Sequence, residues 1–290
     1  MKDFNIKVRC LLEKIKSVIP GIGLMIFLLL MANVTYAAPK SDLWPKWEAN
    51  NAESTEIINH QVWSKFLTEY LMNEHPSDVN RVRYNDVTKS DKELLANYLA
   101  YLQGIRISIF NRKEQKAYWI NFYNALTVKV ILDHYPVKSI RDIDISSGWF
   151  SDGPWDAKLM EVEGGKLSLN DIEHRILRPI WQDNRIHYVV NCASIGCPNL
   201  LAEVFTGSNS DQLLNQSAID YINHNRGVLF IAKDEIIVSS IYDWYGVDFG
   251  DSEKALVKHL LKFATQKLKN QLTDFDGDIE YDYDWNLNEP

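Results

Sequence analysis

The sequence is poor in cysteine. Only three of its 290 residues are cysteines, and they lie at positions 10, 192 and 197. So few cysteines exclude the small disulfide-rich scaffolds, in which cross-links take the place of a core. The sequence also lacks a Cys-x-x-Cys pair and a His-x-x-x-His pair. Because structural and helical zinc sites use these spacings, no metal site is predicted from Cys192, Cys197, His174 and His187.

Positive charge is also scarce. The chain has 31 Lys and Arg residues against 39 Asp and Glu residues, which gives a formal net charge of −8. Residues 1–37 hold five of the basic and two of the acidic residues, so the remainder is more acidic still. Surfaces that bind nucleic acids need an excess of positive charge. We therefore predict that nucleic acid is not a partner.

Long apolar runs are absent except near the N-terminus. Residues 18–32 form an apolar run that follows a basic segment and precedes N-V-T-Y-A-A-P. This pattern predicts a secretory signal peptide over residues 1–37, cut between Ala37 and Ala38. An uncleaved membrane anchor is the alternative, but the run is shorter than the roughly 20 residues that a membrane span needs. We expect a periplasmic or secreted protein with no membrane contact after cleavage.

The rest of the chain predicts a single helix-rich α+β domain around a small, mostly antiparallel sheet. Residues 38–89 form a polar lead-in and one helix, and the main domain occupies residues 90–287. Helical spacing of apolar residues is clear over residues 90–103. Gly164-Gly165 and Lys233-Asp234 have the composition of hairpin turns.

The most apolar predicted helix begins after Asn111 and ends before Pro136. Asn111 with Glu114 three residues later resembles a capping box. The helix is apolar on nearly every side, which predicts burial, and Asn121 and Asn124 share one of its faces. A buried amide without a partner costs roughly 1–3 kcal/mol. These side chains therefore either fix the backbone of a neighbouring loop, or hold or form part of a site.

Two other segments carry candidate site residues. The loop-rich residues 139–156 include Trp149 and Trp155, which would either line a binding pocket or cap the core. A helix capped by Ser168 follows. Its apolar stripe predicts that Glu173 is the more buried carboxylate and His174 the more exposed imidazole.

Both cysteines of the predicted mature chain lie in one stretch, residues 186–205. Residues 186–191 are short, apolar and rich in β-formers, which predicts a buried strand. A small-residue turn follows, and Cys197 then precedes Pro198 as the cap of a predicted helix. Helix N-termini favour a thiolate because their free N–H groups and dipole stabilise negative charge. The stretch predicts a site centred on Cys192 and Cys197.

Five sequence blocks together resemble a known family. They are E-Q-K-A-Y-W-I-N-F-Y-N-A-L, L-S-L-N-D-I-E-H-R-I-L-R, H-Y-V-V-N-C-A-S-I-G-C-P, S-I-Y-D-W-Y-G-V-D-F and Y-D-W-N-L-N. In this order, over roughly residues 90–287, they resemble the family called domain of unknown function 547. Its pattern usually has Gly after the first cysteine and Ser before the second, where this chain has Ala193 and Gly196. The resemblance implies no activity. It emphasises seven positions: Asn121, Asn124, Glu173, His174, His187, Cys192 and Cys197.

The first functional interpretation is a cysteine-dependent hydrolase or acyl transferase acting on a small-molecule or peptide-like substrate. A cysteine nucleophile needs a lowered pKa and a base. The candidate catalytic residues are Cys197, Cys192, His174, His187 and Glu173. Both candidate histidines precede the cysteines, an order similar to that of circularly permuted papain-like hydrolases. A permuted papain-like or transglutaminase-like arrangement is therefore one interpretation of the fold.

The second interpretation is structural. Two cysteines separated by four residues in an exported protein can form a disulfide. A Cys192–Cys197 disulfide would block thiol catalysis. The protein would then be a binding or scaffold module, with Asn121, Asn124, Trp149 and Trp155 as candidate binding residues. A reversible redox role of the pair is a third interpretation. No cofactor is predicted, and the sequence does not indicate an oligomeric state.

Overall fold

The computed structural model of the chain describes residues 39–147 and 153–290. Its first half contains three α-helices and one short strand pair. Their bounds are α1 (Gln61–Tyr70), β1 (Leu71–Met72), β2 (Arg81–Val82), α2 (Lys89–Gln103) and α3 (Arg112–His134).

Helix α3 forms the centre of the fold, and 17 of its 23 residues are buried. Asn111 caps it as predicted, because its Oδ1 accepts hydrogen bonds from the backbone of Lys113 and Glu114, both at 3.0 Å. The predicted capping box does not form. The Glu114 carboxylate instead accepts from the backbone N–H groups of Ile58 (2.9 Å) and Gly207 (3.0 Å). A buried helix start thus fixes two distant segments.

The second half is built from short helices and hairpins. Its elements are β3 (Met160–Val162), β4 (Gly165–Leu167), α4 (Leu169–Asp171), α5 (Arg178–Trp181), α6 (Ser210–Ile222), β5 (Val228–Ala232), β6 (Glu235–Ser239), α7 (Ile241–Trp244), α8 (Gly246–Phe249), α9 (Glu253–Phe263), α10 (Gln266–Leu272) and β7 (Asp278–Asp282). A π-helix, Ile172–Leu177, lies between α4 and α5. The chain then makes a 3-10 turn at Asn184–Tyr188.

The strands form three small sheets. Strands β1–β2 and β3–β4 are antiparallel pairs, and β6 pairs with β5 in antiparallel and with β7 in parallel orientation. Both predicted hairpins are present as β3–β4 and β5–β6. The predicted α+β class is confirmed. The permuted papain-like arrangement stays a prediction.

The buried apolar side chains of the helices and strands form two clusters. The larger one surrounds α3, and residues 39–89 contribute Trp47, Trp63 and Tyr84 to it. The smaller one lies among α6, β5, β6 and α9 and includes Tyr221 and Leu260. Burial of apolar side chains is the main stabilising term of such clusters. Within the described ranges, no helix is long and apolar enough to cross a membrane.

The secondary structure predicted around the cysteines is wrong. Residues 186–188 lie in the 3-10 turn rather than in a strand, and the next helix after Cys197 is α6. The β-forming composition is overridden because the turn packs against α6 and buries Ile186 in the apolar cluster around α3. Cys197 lies instead in a turn that is closed by its own N–H and the carbonyl of Ser194, at 3.2 Å. It therefore gains nothing from a helix N-terminus.

Candidate functional site

The two buried amides of α3 hold the loop that carries the cysteines. Asn124 donates to the carbonyl of Val189 (2.9 Å) and accepts from the N–H of Asn191 (2.8 Å). Asn121 makes the same pair of bonds with the backbone of Phe205, at 2.8 and 3.1 Å. Both amides thus fix the backbone of a neighbouring loop, as one of the two alternatives predicts. Their role in a site stays a prediction.

A third amide shapes the loop from inside. Asn191 accepts from the N–H of Ala193 (2.8 Å) and donates to the carbonyl of Pro198 (2.7 Å). Ala193 has φ +59°, in the left-handed region that glycine adopts most easily. The backbone thus explains why glycine suits the position after Cys192, and alanine here accepts some strain.

The far side of the loop is held by Tyr221, near the end of α6, and by Arg226, just after this helix. Arg226 Nη1 donates to the carbonyls of Ile195 (3.1 Å) and Cys197 (2.7 Å). The hydroxyl of Tyr221 donates to the carbonyl of Gly196 at 2.7 Å. Three consecutive carbonyls therefore have fixed partners. The thiols are carried on a backbone that is held from both sides.

The two thiols lie side by side. Cys192 Sγ is 3.0 Å from Cys197 Sγ. A disulfide bond is about 2.05 Å long, so these are two free thiols in close contact. The predicted disulfide is not formed in this structure and stays a prediction. Cys192 is half-buried, whereas Cys197 is buried.

Hydroxyl groups complete the surroundings of Cys192. Its sulfur is 3.0 Å from the hydroxyl of Tyr283 and 3.3 Å from that of Ser194. Ser194 donates to the Tyr283 oxygen at 3.0 Å, which leaves the Tyr283 O–H to point at the sulfur. The hydrogen bond with Cys197 lowers the pKa of Cys192 most. Burial opposes it, and Ser194 and Tyr283 lower the pKa further.

Cys197 has the opposite character. Burial raises its pKa well above the ordinary range, and the bond with Cys192 adds to this. Its sulfur accepts from the backbone N–H of Cys192 (2.9 Å) and lies 3.8 Å from the carbonyl of Val190. When Cys192 ionises, the Cys197 S–H can turn from this carbonyl to the thiolate. Of the two thiols, Cys192 therefore has the lowered pKa, whereas the helix-start interpretation predicted a stabilised thiolate at Cys197.

The predicted histidines belong to a second group, which we call the polar cluster: Glu173, His174, Arg178, His187 and Asp248. His187 Nε2 is 2.7 Å from Asp248 Oδ2, and His187 Nδ1 is 3.6 Å from Glu173 Oε1. Arg178 Nε donates to the same Asp248 oxygen at 2.6 Å. The π-helix places Glu173 and His174 in this cluster, and such helices often occur at functional sites.

The predicted exposure of His174 is wrong, because its side chain is only 3% exposed. The π-helix changes the number of residues per turn, so a stripe drawn with α-helical spacing misplaces this residue. The chain before α1 also covers it. The N–H of Asp42 donates to the carbonyl of His174 (2.9 Å), and Arg178 donates to that of Pro39 (2.8 Å). The predicted burial of Glu173 is confirmed, at 3%.

The polar cluster shifts several pKa values. Burial would raise the pKa of Glu173, but His174, His187 and Arg178 outweigh burial and lower it to about 2. Asp248 also has a lowered pKa, because its hydrogen bonds with His187 and Arg178 outweigh burial. Burial lowers the pKa of His174 to about 4. At neutral pH the cluster therefore holds two carboxylates, a neutral His174 and the Arg178 cation.

The thiols and the polar cluster do not form one catalytic triad. Within residues 39–147 and 153–290, no hydrogen bond or ion pair joins either sulfur to an imidazole. The hydroxyls of Tyr123 and Tyr245 lie near both groups. Burial is the main cause of their raised pKa values, and the charges of Glu173 and Cys192 add to it. The Tyr245 ring also stacks on His187 at 4.1 Å. Among the described residues, the predicted imidazole base therefore makes its contacts within the polar cluster and with Tyr245.

An aromatic cluster lies beside Cys192 and consists of Tyr283, Trp244, Trp285 and Trp155. Ring centroids are 4.8 Å apart for Trp244 and Tyr283, 4.7 Å for Tyr283 and Trp285, and 5.9 Å for Trp285 and Trp155. All four side chains are partly exposed. Trp155, a predicted binding residue, lies here. Trp149 falls outside the described residues.

The sequence patterns did not single out four residues of the two groups as site residues: Asp248, Tyr245, Tyr283 and Trp285. The signal was present, because they lie in the blocks S-I-Y-D-W-Y-G-V-D-F and Y-D-W-N-L-N. Among the described residues, no group of three or more His, Cys, Asp and Glu side chains is placed to bind a metal ion.

Gly196 offers a direct test of how the site is packed. A Cβ there would lie 2.8 Å from the backbone N of Asp284 and 3.0 Å from Tyr283 Cδ1. Gly196→Ala should therefore push Tyr283 away from Cys192 and destabilise the protein by about 1–3 kcal/mol. The urea concentration at the midpoint of unfolding and the rate of Cys192 alkylation at pH 7 should both fall. Gly246→Ala is the matched control, since its nearest atom would be 3.6 Å away. Equal stability of the two variants would contradict the expected clash.

The site defines an α+β protein with a paired-thiol centre. Comparison with protein families finds a resemblance: the model of the family described as "Protein of unknown function, DUF547" matches residues 107–222. The expected resemblance is confirmed over these residues, which include both cysteines and all five other emphasised positions. No curated protein and no solved structure matches the chain.

Proposed function

We propose that this protein is exported and that Cys192 and Cys197 catalyse thiol–disulfide exchange. The observation that carries the proposal is the 3.0 Å distance between a half-buried thiol of lowered pKa and a buried thiol of raised pKa. Exchange needs an accessible thiolate and a second thiol within reach. Export rests on the sequence of residues 1–37.

The reaction proceeds in two displacements. The Cys192 thiolate attacks one sulfur of a substrate disulfide, a mixed disulfide forms, and the other substrate sulfur leaves as a thiolate. Cys197 then attacks Cys192 Sγ, so that the Cys192–Cys197 disulfide forms and the second substrate sulfur leaves. The Cys197 proton passes to a leaving thiolate. The substrate gains two electrons and the cysteine pair loses two. The reverse reaction oxidises a dithiol.

A cysteine-dependent hydrolase or acyl transferase is the second candidate. The observation that favours it is the Tyr283 hydroxyl, 3.0 Å from Cys192 Sγ, which can protonate a leaving group. Acyl transfer also needs a group that activates the second nucleophile, and no imidazole contacts the thiols. The geometry therefore supports exchange better. A non-catalytic scaffold with a permanent disulfide is the remaining alternative.

One experiment separates the three functions. The mature protein would be isolated from the periplasm and equilibrated in glutathione buffers of graded potential. It would then be treated with iodoacetamide and weighed by intact mass. Exchange predicts a reversible change between a protein with at least one adduct, on Cys192, and a protein with none. The midpoint of this change should lie above about −300 mV, because resistant structural disulfides lie below that value.

The other outcomes would contradict the proposal. A pair that stays oxidised below about −300 mV indicates the scaffold. A pair that stays reduced in every buffer, with rapid alkylation of Cys192, indicates the hydrolase or transferase. The same masses show whether residues 1–37 have been removed.

A further inference from the structure

The aromatic cluster continues from the reactive thiol along the surface. It begins at Tyr283, whose hydroxyl contacts Cys192, and reaches Trp155 through Trp285. Partly exposed aromatic side chains that touch one another form a contiguous apolar surface, and such surfaces mark binding sites. A substrate that presents a disulfide to Cys192 must lie beside these rings.

The length of this surface indicates the size of the substrate. The ring centroids of Tyr283 and Trp285 are 4.7 Å apart, and those of Trp285 and Trp155 are 5.9 Å apart. An extended polypeptide advances about 3.3 Å per residue, so the two steps correspond to about three residues. A small dialkyl disulfide ends before the second ring. A polypeptide covers the whole surface.

Charges around the rings indicate the composition of that polypeptide. Asp243, Asp282 and Asp284 are exposed and alternate along the chain with the rings. Asp243 and Asp282 carry the argument, because Asp284 already accepts hydrogen bonds from Asn286 and interacts with Arg81. The guanidinium carbon of Arg141 lies 5.2 Å from the centroid of the Trp285 ring, so this ring already makes a cation–π contact. Acidic side chains favour basic partners and repel anionic ones such as glutathione disulfide.

We propose that the substrate is a polypeptide disulfide that binds on the aromatic cluster. Its cysteine is flanked by aromatic and basic residues. This inference rests on the proposed exchange function. Aromatic rings of the substrate pack on Trp285 and Trp155, and its basic groups lie near the carboxylates. The bound segment presents its disulfide to Cys192.

The test uses three acetylated pentapeptides, K-W-C-W-K, K-G-C-G-K and E-W-C-W-E, each oxidised to its symmetrical disulfide. The second-order rate with the reduced protein is measured for each and divided by its rate with 2-mercaptoethanol, which removes differences in leaving-group reactivity. We expect K-W-C-W-K to react at least about tenfold faster than either other peptide, as loss of a packed aromatic contact or a charge pair predicts. Raising the salt should reduce only the preference for lysine.

Variants locate the preference. Trp285→Ala should bring the normalised rates of K-W-C-W-K and K-G-C-G-K close together, and Trp155→Ala should do so in part. Tyr101→Ala is the control, because Tyr101 is an exposed aromatic residue of α2 outside the cluster and should leave the preference intact. Thermal unfolding would verify that each variant is folded.

Two results would overturn the inference, and they differ in what else they overturn. Equal normalised rates, or a preference that survives both tryptophan substitutions, would overturn the peptide site and leave exchange standing if bis(2-hydroxyethyl) disulfide reacts. Failure of all four disulfides to react with a protein whose Cys192 alkylates would overturn the exchange function together with the peptide site.

Discussion

Cys192→Ser is expected to abolish disulfide exchange, and Cys197→Ser is expected to stop it halfway. Without Cys192, the remaining thiol is still buried, and burial raises its pKa. Because exchange needs an accessible thiolate, the rate should fall to that measured without the protein. Stopped-flow measurement with a peptide disulfide gives the rate.

Cys197→Ser retains the nucleophile and removes the thiol that releases the substrate. The mixed disulfide with the peptide should therefore accumulate in a one-to-one ratio and be visible by intact mass. The serine hydroxyl can still donate to the Cys192 thiolate. Cys197→Ala cannot, so Cys192 should have a higher pKa in this variant, and its alkylation should be slower at neutral pH.

This comparison also separates the two thiol functions. In a hydrolase or acyl transferase Cys197 is not a reactant, so Cys197→Ser would keep most of the activity and form no long-lived adduct. Exchange would be disproved if the Cys192→Ser variant kept its rate, or if the Cys197→Ser variant released its substrate as rapidly as the unmodified protein.

The fold class was predictable because local patterns decide much of it. The caps at Asn111 and Ser168 begin helices as expected, and the two hairpins form where turn residues interrupt apolar segments. The structure near the cysteines was not predictable in this way. Residues 186–191 have a strand composition, but the side chain of Asn124 in α3 supplies the partners of the Val189 carbonyl and the Asn191 N–H that a neighbouring strand would have supplied.

The candidate site was predictable only in part. The two cysteines and the amides of Asn121 and Asn124 lie within the sequence motifs that indicated them. Tyr283 and Asp248 come from segments 91 and 61 residues away from Cys192 and His187, respectively. Such contacts depend on packing and leave no periodic pattern. A cysteine nucleophile with a histidine base was predicted from residue types, whereas the contacts of His187 are with Asp248, Glu173 and Tyr245.

The protein should begin to lose stability at a pH above the pKa values of ordinary carboxylates. Burial lowers the pKa values of His60, His174 and His259 from 6.5 to about 4. The folded state therefore binds fewer protons than the unfolded state between pH 6.5 and 4, and stability falls as the pH falls through this range. Each imidazole contributes about 3 kcal/mol of this loss at pH 4. The sum is comparable with the total stability of about 5–15 kcal/mol that is typical of a domain.

The carboxylates act in the same direction at lower pH. Glu173 has its pKa lowered from 4.5 to about 2, so its contribution is present above pH 4.5 and is lost as the pH falls towards 2. Melting temperatures from circular dichroism should thus be level near pH 7 and fall steeply below pH 6.5. His259→Gln keeps a polar group near Tyr188 and removes one imidazole, so its slope should be smaller. A melting temperature that is constant from pH 7 to 5 would mean that these imidazoles are accessible to protons in the folded protein.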